Sequence, residues 1–420
     1  MFIFQRIKRW LTVPQSEGID SKNFLNVQID AIGVALANAA SPFLPVFLTR
    51  LGAETIHIGL LSSMPGITGL ITSIPLGRFL QNRKNVVPWF SAARLAVILS
   101  YALTSIATLI FNEHNSIYAI LTIWALATIP QTVVAIAFNV VMNSVAGPTG
   151  RFELMSRRWS IMGVTTATCA FLVGILLDNV IFPLNYQLAF FFLSIGAFLS
   201  YRYSSKIKIE DQDVQPSTNK SHREKLQEYF KLVTGQTSFI DFVSRRFVFT
   251  FGSYFAIPLL PLYYVREAEA SDAWIAVITT VQTAVTIIGY ALWTRQTRKF
   301  GSRRVLLLST LGVALYPILV ALTHQELLIT ILAGIMGISS AGVNLIFFDE
   351  LMQTIPPKFS ATFMSISQSL EFLAAVVAPL IGSLIANNIG LSYALIIGGS
   401  IRFTGFILFL FRPSKIVAAT

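Results

Sequence analysis

Residues 42–50 read PFLPVFLTR and residues 258–266 read PLLPLYYVR. Each places two prolines three residues apart in an apolar run that ends on arginine: Pro42, Pro45 and Arg50, then Pro258, Pro261 and Arg266. A single shift of 216 residues superposes the two. Proline within a helix removes a backbone donor and forces a bend, so the matched prolines mark one bend made twice. Further matches keep the same order. NVV at 139–141 answers NLI at 344–346, Gly174 answers Gly382, and SKI at 205–207 answers SKI at 414–416. Those shifts run from 205 to 209 residues, so short insertions separate two copies of one unit.

The chain around these segments is suited to hydrocarbon. It is 54% hydrophobic and 12% charged, about half the charge of an ordinary soluble protein, with a mean hydropathy of +0.67. That excludes a soluble enzyme, a disordered chain, a coiled coil and collagen. A helix needs about 20 apolar residues to cross the hydrocarbon core. Twelve such runs are expected, over 24–49, 56–76, 86–111, 116–146, 159–177, 183–203, 239–265, 272–294, 304–323, 327–348, 360–386 and 391–411. They are long and continuous, unlike the alternating segments of a barrel. The expected fold is therefore an all-α integral membrane protein, two six-helix bundles related by a pseudo-twofold along the membrane normal. Its divisions are a segment 1–22, a bundle 23–203, a linker 204–238, a bundle 239–412 and a tail 413–420.

The basic residues orient this layout. With the N-terminus in the cytoplasm, 25 of the 31 Lys and Arg fall on cytoplasmic segments, and only Arg50 and Arg266 on the far side. Arg94, Arg245, Arg246 and Arg402 lie inside spans. Such a split follows the positive-inside rule, so both termini and the linker are expected in the cytoplasm, in a cell or inner membrane. Trp89, Trp159, Trp274 and Trp293 sit at span ends, as an interfacial belt does. The net charge of +11 thus decorates loops facing anionic lipid and implies no nucleic-acid partner. The opening MFIFQRIKRWLTVPQ lacks the uninterrupted apolar region of a signal peptide; it reads as a short interfacial helix or as an unstructured tail. His222 to Val233, in the linker, reads as a surface helix.

Catalytic and metal chemistry find no footing. Cys169 is the single cysteine, and the four His are scattered, so no disulfide, His/Cys metal cluster or cofactor is expected. No phosphate loop or nucleophile triad is present. The chain is not expected to be an enzyme.

With six plus six spans, both termini inside and a long central loop, the chain resembles the major facilitator superfamily over nearly its whole length. That family has Gly-x-x-x-Asp-Arg/Lys-x-Gly-Arg/Lys-Arg/Lys between spans two and three, and a weaker copy between eight and nine. Here GRFLQNRK at 77–84 keeps Gly77, Arg83 and Lys84 but lacks the Asp, and TRQTRKFGSRR at 294–304 keeps Lys299, Gly301 and Arg303. The span-four arginine of many proton-coupled members is absent. The resemblance implies alternating access by the two halves, and spans one and seven facing each other across a central cavity.

A charge in a span costs about 2.5–3.5 kcal/mol or more unless it finds a partner or water. Asp30 and Arg246 lie at equivalent positions in spans one and seven, so they either pair or each reaches the interface. Glu371 in span eleven and Arg402 in span twelve lie at similar depth. They form a structural pair, or Glu371 faces the cavity and carries a proton; Asp30, the other well-buried acid, is the second candidate for carrying a coupling proton. Arg94 is expected to snorkel, and Asp241 and Arg245 to pair at i,i+4. Uncharged candidates for a solute are Asn38, Trp124, Gln131, Asn139, Gln282, Thr286, Tyr290 and Asn344, with interhelical hydrogen bonding as the plainer alternative for each. Gln282, Thr286 and Tyr290 form one stripe at steps of four.

The expected function is secondary active transport of a small solute, with protons as the candidate coupling ion. A monomer with membrane lipid and solute as its partners is expected. The alternative is a fold of this kind that handles lipid or serves assembly without transport.

Overall fold

The computed structural model describes residues 19–53, 55–211, 233–270 and 272–411. The N-terminal segment, the expected helix at 222–233, and Lys415 with the second SKI lie wholly or almost wholly outside these residues. Every regular element among the described residues is helical. Twelve are of membrane-crossing length: α1 (Ser21–Arg50), α2 (Thr55–Gln81), α3 (Val87–Ile110), α4 (113–146), α5 (148–179), α6 (Leu184–Ser204), α7 (Thr237–Arg266), α8 (Asp272–Phe300), α9 (Ser302–Ala321), α10 (Glu326–Thr354), α11 (Ser360–Ile389) and α12 (Leu391–Leu410).

The matched prolines do what their chemistry requires. The first segment of α1 ends at Ala40 and a second runs Phe43–Arg50; α7 ends its first segment at Ala256 and resumes over Leu259–Arg266. In both, the proline at the break keeps helical dihedrals but lacks the N–H the ladder needs, so the helix bends there and continues. The short segments pack alike. Phe47 and Tyr263, related by the 216-residue shift, are both fully buried. Phe47 stacks on Tyr186 at 5.0 Å between centroids, within a cluster that includes Tyr101, Trp124 and Phe190. Tyr263 donates its hydroxyl to the Thr323 carbonyl at 3.0 Å, and Tyr264 and Tyr316 share a hydroxyl bond of 2.6 Å.

The fifth span departs from the sequence expectation. Residues 147–158 carry three arginines and a glutamate and read as a loop, with the span starting at 159. Instead α4 and α5 join directly at Gly147, whose φ of 60° and ψ of −175° favour glycine. Pro148 follows at the first helical position, where a missing N–H costs nothing. Arg151, Glu153, Arg157 and Arg158 are therefore helical and buried.

The described residues fall into two compact units. The first holds α1 to α6 and residues 355–373; the second holds α7 to α10 and the chain from Ala374. Within the first, the Gln81 amide donates to the Lys358 carbonyl at 2.6 Å and accepts from the Thr362 N–H at 3.3 Å. Gly77 lies directly against the Ser365 side chain.

Each unit closes its first helix on its last through glycine. A Cβ on Gly33 would stand 2.6 Å from the Gly196 carbonyl oxygen and 2.7 Å from the Ser200 nitrogen. A Cβ on Gly252 would stand 2.8 Å from the Gly398 carbonyl oxygen and 2.7 Å from the Arg402 nitrogen. Small residues at such crossings let helix backbones touch where lipid offers no hydrophobic drive. The obstacles are backbone atoms, so Gly33→Ala must push α1 and α6 apart. We expect a thermal midpoint lowered by the equivalent of about 1–3 kcal/mol. Gly174→Ala, with open space around the position, should leave it unchanged. Equal midpoints for the two variants would refute the close crossing.

Candidate functional site

Four helices of the first unit bring three buried charges and a serine hydroxyl together. Asp20 caps α1 by accepting the Asn23 N–H at 3.1 Å, which fixes where the helix starts. Asp30, ten residues on, is fully buried. Its Oδ2 pairs with Arg94 of α3 and, at 3.4 Å, with Arg158 of α5. Its Oδ1 accepts from the Ser200 hydroxyl of α6 at 2.6 Å. The guanidiniums lie against aromatic faces: Arg94 is 4.2 Å from the Phe90 centroid and Arg158 is 4.7 Å from that of Phe138. Such contacts recover part of a cation's desolvation. One carboxylate against two arginines leaves the cluster a unit positive.

Around it lies a second layer. Glu153 and Arg157 pair at 2.5 Å across one turn, with Arg157 5.1 Å from the Phe24 centroid. Arg151 donates to Asn143 Oδ1 at 2.8 Å, bridging the Gly147 bend. Asn23 exchanges two bonds with Lys208, of 2.6 and 2.9 Å, and ties the start of α1 to the chain leaving α6. The Gln28 amide is buried nearby along α1 and has no protein partner among the described residues.

These contacts revise three expectations. Asp30 spends both oxygens inside its own unit, so it does not pair with Arg246, which lies over Phe347 at 5.9 Å. Arg94 does not snorkel; it is buried on Asp30. Arg402 makes no carboxylate pair among the described residues. Its two terminal nitrogens donate to the carbonyls of Val313 and Ser253, each at 3.2 Å. Glu371 is partly buried in α11. Asp241 and Arg245 do pair, at 2.6 Å, and Arg245 also caps the Leu408 carbonyl near the end of α12.

Of the uncharged candidates, Tyr290 and Asn344 come together: the Asn344 amide donates to the Tyr290 hydroxyl at 3.1 Å across α8 and α10. Gln282 and Thr286 follow on the same stripe, and Gly337 of α10 lies against the Gln282 carbonyl. The Thr286 hydroxyl bonds back to that carbonyl at 2.7 Å. Trp124 is buried, donating to the Thr104 hydroxyl at 3.1 Å and meeting Tyr101 edge-on at 4.8 Å. Asn139 bonds back to the Ala135 carbonyl at 3.0 Å. Gln131 is partly buried and Asn38 exposed. In the loop motifs, Arg83 stacks on Phe79 and Trp89 at 4.3 and 5.1 Å, beside the exposed Lys84. Gly301 supplies a φ of 81° between α8 and α9, and Arg303 caps the Leu410 carbonyl at 2.8 Å.

Three comparisons bear on this arrangement. The sequence profile of the Major Facilitator Superfamily matches residues 242–418. Over that stretch, about two fifths of its length, the chain is similar to this family. It is 26% identical over 166 residues to multidrug resistance protein MdtG of Proteus mirabilis (strain HI4320), an alignment covering 38% of this chain and 40% of that relative. The chain thus spans well under half the length of that relative. Solved structures of like fold cover far more. The E. coli fucose:proton symporter FucP superposes with a TM-score of 0.71 at 15% identity, over 92% of this chain and 98% of its own. A bacterial homologue of the iron transporter ferroportin, outward-facing, gives 0.75 at 13%, over 93% and 98%. The proton:xylose symporter XylE gives 0.69 at 11%, over 93% and 94%. At these identities the likeness is one of fold.

Proposed function

We propose that this chain is a member of the major facilitator superfamily and a secondary transporter that moves a small solute across the membrane by alternating access. The observation that carries the reading is a pattern made twice along the chain: two runs of six helices, each opening on the same bent helix and each with the same glycine crossing between its first and last helix, in a sequence with no phosphate loop to draw energy from ATP. The working energy then comes from a solute or ion gradient. Two of the solved structures of like fold are named as proton symporters, which supports protons as the coupling ion here. Glu371, half-buried in α11, is the acid proposed for that task; Asp30 is held by two arginines and Ser200. The solute-contacting candidates are the exposed or half-buried amides: Asn38, Gln131 and Asn139 on the first unit, Gln282 and Asn344 on the second.

The test is uptake of a labelled metabolite panel into vesicles carrying the purified protein, with and without an imposed pH gradient. Accumulation of at least one solute above protein-free vesicles is expected. Failure of every solute class, in protein that remains folded, would reject transport.

The orientation is proposed from the charge split, with both termini inside. In a Cys169→Ser background, an impermeant thiol reagent added outside should label His114→Cys and Glu269→Cys and miss Ser217→Cys. His114 and Glu269 are exposed, so burial will not mask them. The reverse pattern would invert the topology.

A further inference from the structure

A cavity of about 340 Å³ opens between the end of α8 and the start of α9, far along the chain from the charged cluster of the first unit. Its walls are mainly apolar: Leu292, Trp293, Phe300, Val305 and Leu308 line it, with Gln296 and Arg304 among them. Leu308 is 59% exposed, so the groove is open along one side. The Trp293 indole N–H is already spent on the Ile338 carbonyl at 2.7 Å, which leaves the ring to serve as wall.

The rim has the opposite character. Lys299 Nζ lies 5.2 Å and the Arg304 guanidinium carbon 5.3 Å from the centroid of the same Phe300 ring. Two cations are thus gathered on one aromatic side chain that itself lines the groove. Arg295, Arg298 and Arg303 follow closely in sequence, and no acidic residue occurs between Asp272 and Glu326. Among the described residues, no carboxylate lies within 4 Å of Lys299 or Arg304. From Phe300 back to Leu292 the helix descends about 12 Å at 1.5 Å per residue, so the apolar wall runs into the span while the cations stay at its mouth.

We propose that this groove binds one anionic phospholipid, its phosphate between Lys299 and Arg304 and an acyl chain along Leu292, Trp293 and Leu308. A free phosphate would satisfy the rim and leave the groove without an occupant. A zwitterionic lipid would fill the groove but carry its own ammonium to the rim, so the net charge of the two cations would stay unreduced. Only a lipid with net negative charge answers both halves. The inference does not depend on which solute the protein moves, or on whether it moves one.

Trp293 provides the reporter, because bromine on an acyl chain quenches tryptophan by contact. The full-length protein is placed in vesicles of phosphatidylcholine with a minor fraction of brominated phosphatidylglycerol, or of the same lipids with the label on phosphatidylcholine. The Trp293 component is the difference between the protein and its Trp293→Phe variant. Stronger quenching by the phosphatidylglycerol label is expected. The preference should fall roughly fivefold for each of Lys299→Gln and Arg304→Gln, the factor that about 1 kcal/mol per basic residue gives. The charge-keeping variant Lys299→Arg/Arg304→Lys should retain it, which separates loss of the site from loss of the fold. Inorganic phosphate added at constant ionic strength should change nothing; displacement by it would assign the rim to a free anion and overturn the lipid reading. Equal quenching by the two labels in the unmodified protein would also overturn it, as would a preference that survives removal of both cations.

Discussion

Asp30→Asn should destabilise the protein more than any other single neutral substitution in the first unit. The carboxylate is fully buried and answers two arginines, themselves buried, and a serine hydroxyl. Removing its charge strands two cations in apolar surroundings. Breaking a buried pair from one side costs about 3–5 kcal/mol, and here one substitution breaks two pairs. The measurement is thermal unfolding in a fixed detergent, with Arg158→Gln and Arg94→Gln alongside. Arg158→Gln should cost far less than Asp30→Asn, because it leaves a neutral Asp30–Arg94 pair and removes the surplus charge. Adding Arg94→Gln to Asp30→Asn should recover part of the loss, since the residues act as a set and their effects do not add. An Asp30→Asn midpoint equal to that of the unmodified protein would show that the three charges do not form a compensated group.

That cluster marks the boundary of what could be read along the chain. The repeat, the twelve spans and the fold class rest on local signals: prolines, apolar runs and charge placement. Phe47 and Tyr263 occupy equivalent buried positions because the same bent segment is written twice. The partners of Asp30 are 64, 128 and 170 residues away, and no local period joins them. The direct cause of the missed site is the segment 147–158. Hydropathy reads three arginines and a glutamate as solvent-facing, whereas the structure folds them into the start of α5. One signal was available: Glu153 and Arg157 stand at the i,i+4 spacing of neighbours on a helical face, directly after a Gly-Pro pair that suits a helix start. The Asp30–Arg246 idea failed for a related reason. Repeat symmetry relates positions, but a buried charge takes its partner from the helices packed on it, and α3, α5 and α6 supply three. The uncharged stripe was partly legible. Its spacing places Tyr290 on the face that meets α10, but that spacing alone does not distinguish a solute contact from the bond to Asn344 that the structure contains.

Glu371→Gln should abolish pH-driven accumulation and leave solute counterflow measurable. Glu371 stands eleven residues beyond the start of α11, about 16 Å along the helix axis, in a span where a lasting charge is costly. A coupling acid must gain and lose its proton as access alternates. Its charge therefore matters when a proton gradient does work, and much less when labelled and unlabelled solute exchange across a membrane with no gradient. A neutral isostere fixes it in one state and removes the first activity alone. Asp30→Asn gives the contrast: it weakens the packing of α1, α3, α5 and α6, so accumulation and counterflow should fall together with the melting temperature. Arg402 is bonded to Val313 and Ser253, so Glu371→Gln does not strand that cation, and its melting temperature should fall far less than that of Asp30→Asn. Loss of both transport modes in Glu371→Gln, with a lowered midpoint, would make the residue structural. Accumulation that depends on sodium and ignores pH in the unmodified protein would remove the proton from the mechanism.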